Sequence, residues 1–272
     1  MTRTDYSMPV AQLLTLGDPR GEEQWRDYLK LGFTTEHVPE LIRLARDSEL
    51  WLADSESKEV WANLHAWRTL GQLRAQEAIE PLLELFQYAD DNDDEWAIEE
   101  LPEVYALIGP AAIPALANYL NDPSHSPFAR VLASSSITMI GKHHPNVRAE
   151  CAATLARALE KFDTLDPELN AFLISDLCEL GPTDYFPLIE RAFASQRVDE
   201  SVRGDWQDIQ IEFGLITERT TPDDRTQLDD LRDQMASAIR NSVLINQVIA
   251  DMRATGELKS KRKDSPPKNK KR

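Results

Sequence analysis

Apolar residues along the chain recur at intervals of three and four, in runs of about ten positions that close on glycine. In Trp61-Ala62-Asn63-Leu64-His65-Ala66-Trp67-Arg68-Thr69-Leu70-Gly71, the residues Leu64, Ala66, Trp67 and Leu70 share one helical face. That spacing predicts a helix, and Gly71 is expected to end it, because glycine tolerates the left-handed conformation of a C-cap. A second amphipathic run extends from Ala78 to Phe86, with Pro81 in the first turn, where no hydrogen-bond donor is missed. The pair returns as Leu101 to Gly109 with Ala112 to Leu120, and again around Gly141 and around Gly181-Pro182. Tyr28 to Gly32 with Val38 to Ile42 reads as a divergent first unit.

Six glycines (Gly32, Gly71, Gly109, Gly141, Gly181 and Gly214) mark the period, at intervals of 39, 38, 32, 40 and 33 residues. These intervals are those of helical repeats. A lone hairpin cannot bury its apolar stripe, so stacking is required, and the stack makes one continuous core. The segments from Leu70 to Leu85 and from Ile108 to Leu120 resemble the HEAT-like repeats of phycobilisome-lyase-type proteins. Both show an alanine-rich helix, a glycine, a short link, an Ile-Pro-x-Leu type of helix and an acidic loop. The stretch from about residue 10 to 220 resembles a bacterial family of HEAT-repeat proteins without an established activity. The resemblance implies an all-α, right-handed α-solenoid of about five or six HEAT-like hairpins, with the helices before each glycine on its concave side.

After Gly214 the pattern changes. Thr221-Pro222-Asp223-Asp224 predicts a capped helix start. From Leu228 to Met252 the apolar residues keep a spacing that serves either a coiled-coil seam or a helix capping the last repeat. The expected organisation is a solenoid over 1–214, a linker and C-terminal helix over 215–256, and a disordered basic tail over 257–272.

Charge sharpens this division. The net charge is −17, yet Lys259, Lys261, Arg262, Lys263, Lys268, Lys270, Lys271 and Arg272 oppose only Asp264 between residues 259 and 272, a stretch that carries +7 and leaves −24 on the rest. Such a body repels phosphate backbones, so contact with nucleic acid is expected only through the tail, if at all. The tail has two other readings: folding back on the acidic body, or simply solvating the terminus. Ten glycines in 272 residues and abundant Leu, Ala and Glu favour helix. No stretch reaches the roughly 18 apolar residues of a membrane span. Cys151 and Cys178 sit inside amphipathic runs as small hydrophobes, and the cytoplasm is the expected compartment.

Candidate chemistry is sparse. Asp90, Asp91, Asp93 and Asp94 begin an acidic run continuing to Glu103, which is either a solvated loop or a dock for a basic partner. It lacks the fixed ligand spacing and glycine of a calcium loop. Trp61, Trp96 and Phe128 occupy similar places at the starts of pre-glycine helices, as core fillers or as an apolar groove. His143 and His144 are adjacent, without zinc spacing, and no His-Glu dipeptide of the HEAT-type di-iron hydroxylases occurs. No catalytic residue, metal or cofactor is assigned. The expectation is a non-enzymatic scaffold or adaptor that binds a protein or peptide on its concave surface. The candidate residues are Trp61, His65, Arg68, Trp96, Glu99, Glu100, Phe128 and Arg130. Two alternatives stand: a subunit resembling the chromophore lyases and isomerases built on these repeats, and a nucleic-acid-associated protein acting through its tail.

Overall fold

A computed structural model describes residues 6–20, 24–181 and 183–221. The chain divides into two units, Met1–Leu215 and Ile216–Arg272, and every helix named below belongs to the first. The sequence-predicted helix after Thr221 and the basic tail lie outside the described residues.

The first unit is an all-α solenoid, and no strand occurs among the described residues. Its helices are α1 (Val38–Ala45), α2 (Ser48–Trp51), α3 (Ala62–Gln72), α4 (Ile79–Asp91), α5 (Glu95–Ile108) and α6 (Ile113–Asn121). There follow α7 (Pro127–His143), α8 (Arg148–Leu159), α9 (Pro167–Leu180), α10 (Phe186–Ala194), α11 (Glu200–Arg203) and α12 (Trp206–Glu212). Four hairpins, α3/α4, α5/α6, α7/α8 and α9/α10, make the body of the stack. Partial units flank it. In the first, the pre-glycine segment shrinks to a single 3-10 turn, Leu29–Leu31, ahead of α1.

The pre-glycine helices α3, α5, α7 and α9 pack each against the next and form the inner row. The outer helices pack mainly forward: α4 on α5 and α7, α6 on α7, α8 on α7 and α9. Because each outer helix bridges to the following repeat, the apolar stripe of one hairpin is completed by its neighbour.

Helix starts follow the chain's short polar residues. Asp47, Asp94, Ser126, Asp166, Asp199 and Asp205 accept backbone N–H groups at the first turns of α2, α5, α7, α9, α11 and α12. Each satisfies a donor that the helix cannot, and the carboxylates also sit at the positive end of the helix dipole. The inner row returns the service to the preceding helix ends. Asn63 Nδ2 donates to the Leu44 carbonyl at 2.9 Å, Arg130 Nε to Leu120 at 2.7 Å and Asn170 Nδ2 to Phe162 at 2.9 Å. These buried polar groups add donors to carbonyls at or just past the helix ends.

Two of the glycines serve a different purpose from the C-caps expected of them. Gly109 and Gly181 do end helices at positive φ, 95° and 87°. Gly71 and Gly141 instead lie inside α3 and α7. A Cβ on Gly71 would stand 3.3 Å from Leu107 Cδ1 and 3.4 Å from Val104 Cα; one on Gly141 would meet Leu180 Cδ2 at 2.9 Å and Cys151 Cβ at 3.1 Å. Close approach of neighbouring helices, not backbone freedom, requires glycine there.

Candidate functional site

The N-terminal segment decides which face of α3 remains open. Its 3-10 turn Val10–Thr15 packs on α3. Gln72 Nε2 donates to the Arg26 carbonyl at 2.8 Å, and Gln72 Oε1 accepts the Tyr28 N–H at 2.9 Å. Under this cover every residue from Ala62 to Gly71 is buried. His65 is wholly enclosed: Nε2 donates to the Gly17 carbonyl at 2.8 Å, which leaves Nδ1 to accept the Tyr28 hydroxyl at 2.6 Å.

Four residues expected on a binding face are therefore inside the protein. His65 is one. Arg68 and Glu100 are 6% and 8% exposed and face each other, with Arg68 Nε donating to Glu100 Oε2 at 2.9 Å and the other pair of atoms in contact. The Arg68 guanidinium also stacks over Trp25, 4.9 Å from the ring centre. Burial works against its charge, but the hydrogen bond and charge of Glu100 outweigh that and raise its pKa. Arg130 is 8% exposed, caps α6 as described, and has its pKa lowered by burial. Phe128 is half-buried against Phe172, ring centres 6.4 Å apart, while Glu99 lies exposed on α5.

Trp61 and Trp96 are brought together. Their rings meet edge to face at 5.3 Å, and they line a cleft of about 610 Å³ at the edge of the stack where the inter-repeat loops run. The loop after α2 supplies Leu52, Ser55 and Glu56; the end of α4 and its loop supply Tyr88, Asn92 and Asp94. Asn63, Leu64 and Trp67 of α3 line it as well, and Trp51 completes its aromatic lining. Trp51 lies against Tyr88 with ring centres 3.8 Å apart.

The cleft has an apolar rim and an electron-rich interior. Leu52 is 85% exposed and Trp96 37%. Glu56 and Asp94 bring carboxylates, and Asp94 Oδ1 accepts the Trp96 and Ala97 N–H groups, so α5 starts at the cleft wall. Burial, with the charge of Asp94, raises the Tyr88 pKa. Asn63 Oδ1 is buried without a hydrogen-bond partner. Asp90, Asp91 and Asp93 continue the acidic edge: Asp90 accepts the Ser126 hydroxyl, Asp91 accepts from Gln87 Nε2 at 2.9 Å, and Asp93 is exposed.

Sequence reasoning found Trp61, Trp96 and Asp94 but missed Trp51, Leu52, Glu56, Asn63 and Tyr88. Trp51 and Leu52 belong to a short apolar run, Leu50 to Ala53, set between polar residues at the end of α2, a signal that was visible; Tyr88 sits on an ordinary outer-helix position and had none.

The remaining chemistry is quiet. No group of three or more His, Cys, Asp or Glu side chains among the described residues could hold a metal ion. Cys151 and Cys178 are free and buried, and burial pushes each thiol up to about 11. No helix among the described residues is long and apolar enough to cross a membrane. No curated protein and no solved structure matches the chain. Residues 66–88, the later part of α3 with most of α4, match the model of the PBS lyase HEAT-like repeat.

Proposed function

We propose that this protein is a non-enzymatic interaction module that docks a protein or peptide in the cleft at the loop edge of its first repeats. The observation that carries the reading is the joining of an exposed apolar rim, Leu52 and Trp96, to an open cavity of about 610 Å³ walled by aromatic rings. Exposed large apolar side chains scattered singly are ordinary, but grouped around a concave, aromatic site they offer anchoring pockets. The site joins the starts of α3 and α5 to the loops after α2 and α4.

The test compares proteins captured from native lysate by the wild-type chain and by a Leu52→Glu, Trp96→Glu variant, with Glu168→Lys on α9 as a control outside the cleft. The expected result is a set of proteins held by wild type and control and lost from the cleft variant. A set retained by all three overturns the reading.

A further inference from the structure

Among the described residues, guanidinium groups are placed over aromatic rings three times, each time with a carboxylate at hand. Arg43 lies over Tyr6 at 4.2 Å and pairs with Glu40; Arg68 lies over Trp25 and pairs with Glu100. The third is in the cleft, where Arg20 lies over Trp61 at 5.1 Å and pairs with Asp18. The attraction is that of a cation for the negative face of the ring, strengthened by the stacking of a planar group.

The cleft holds more of the same components than Arg20 uses. None of the other described guanidiniums lies over Trp51, Tyr88 or Trp96. Glu56 and Asp94 stand in the lining with them, Glu56 also close enough to act on Arg20 and Asp94 also holding the start of α5. Rings and carboxylates together favour one kind of visitor, a flat cation rich in N–H donors. A quaternary ammonium would satisfy the rings and leave the acceptors unpaired; a lysine ammonium would satisfy the acceptors without a planar face to stack. The acidic stretch Asp90, Asp91 and Asp93 beside the cleft raises the local concentration of any cation approaching it.

Resting on the docking reading above, we infer that the cleft recognises an arginine side chain of its partner, with the guanidinium seated against the Trp96 ring, near Glu56 and Asp94 and beside the Trp61 ring that Arg20 covers. Recognition combines charge with flatness, so specificity follows both.

The experiment titrates the full chain with four short glycine–serine peptides that differ at one central residue: arginine, lysine, trimethyl-lysine or citrulline. Citrulline keeps the shape of arginine and removes its charge. Tryptophan fluorescence and calorimetry should show saturable binding of the arginine peptide, with the other three weaker by about tenfold or more. Trp96→Ala should weaken the arginine peptide by a similar factor. Trp96→Leu, which keeps an apolar side chain against Trp61 and removes the ring face, should do so with an unchanged thermal transition. Glu56→Gln should weaken it several-fold.

Equal binding of the citrulline peptide overturns the inference, since the charge would then be idle. Equal binding of arginine and lysine peptides, unaffected by Trp96→Leu and abolished by moderate salt, would assign the effect to the diffuse acidic surface and also overturn it. Absence of saturable binding by any of the four does the same. If the partner capture described above still depends on Leu52 and Trp96 in that case, docking stands and only the arginine is lost. If capture is indifferent to them, docking itself fails.

Discussion

Arg68 and Arg20 meet the same kinds of neighbour in two different settings. Arg68 has Trp25 and Glu100 around it and is shut between the inner helices by the N-terminal segment. Arg20 has Trp61 and Asp18 around it, and its side chain is 60% exposed at the mouth of the cleft. Enclosure turns the first set into structure, because charges removed from water must stay paired. Openness leaves the second set exchangeable, because each contact competes with solvent and is individually weak. The residue types do not separate the two; the cover over them does.

Predictions that break or sharpen this contrast run from the buried side outward. Glu100→Ala should cost about 3–5 kcal/mol, the usual consequence of leaving one buried charge without its partner. Denaturant unfolding measures it, and a loss below about 1 kcal/mol would show that Arg68 reaches water after all.

Asp176 on α9 extends the buried side to a carboxylate without a cation in direct contact. Ser134 donates to it at 2.6 Å, Glu179 and Lys142 act on it from nearby, and burial pushes its pKa up to about 7. A carboxyl whose folded pKa exceeds its unfolded value holds its proton more tightly in the folded state. Its contribution to stability is therefore full below about pH 4 and is lost as pH rises through about 7. The urea midpoint of wild type should carry this decline, worth roughly 2–4 kcal/mol, and Asp176→Asn should flatten it. A midpoint whose pH dependence is unchanged by Asp176→Asn contradicts this account.

Gly141→Ala comes next. The added Cβ would sit 3.1 Å from Cys151 Cβ, and overpacking of that kind costs about 1–3 kcal/mol, partly offset by the better helix propensity of alanine. Gly71→Ala, with nearest approaches of 3.3 and 3.4 Å, should cost less, and thermal melts of the two variants would rank them. The smallest effect belongs to the open side: Trp96→Ala should change unfolding free energy by about 1 kcal/mol or less, while weakening the arginine peptide by about tenfold or more. A large loss of stability would return Trp96 to the core.

Much of the solenoid was legible in the chain. Apolar spacing marked α3 to α10, because an inner or outer helix must present one stripe to its neighbours, and 3.6 residues per turn writes that stripe into the sequence. Asp94 and Ser126 were not singled out as caps in the sequence, although a short polar residue before an apolar run is the usual helix-start signal. The glycine spacing was legible too, though its cause differed between positions: Gly109 ends a helix, whereas Gly141 admits one. Both jobs call for the absence of a Cβ, and the sequence records only that absence.

The site was legible in part. Trp61, Trp96 and Asp94 stood out by position, and their meeting with Trp51 and Tyr88 did not, since those two residues come from separate elements, α2 and α4. His65, Arg68 and Glu100 shared the same periodic helices as the open residues, and no local pattern set them apart. What enclosed His65 and Arg68 was the N-terminal segment, in its described stretches 10–20 and 24–28, held by single contacts such as Gln72 to Arg26 and His65 to Gly17. The sequence by itself determined the helices and their order, because those depend on neighbours within a few turns. Tertiary structure alone decided which polar residues stayed at the surface, because burial depends on a distant segment laid across them.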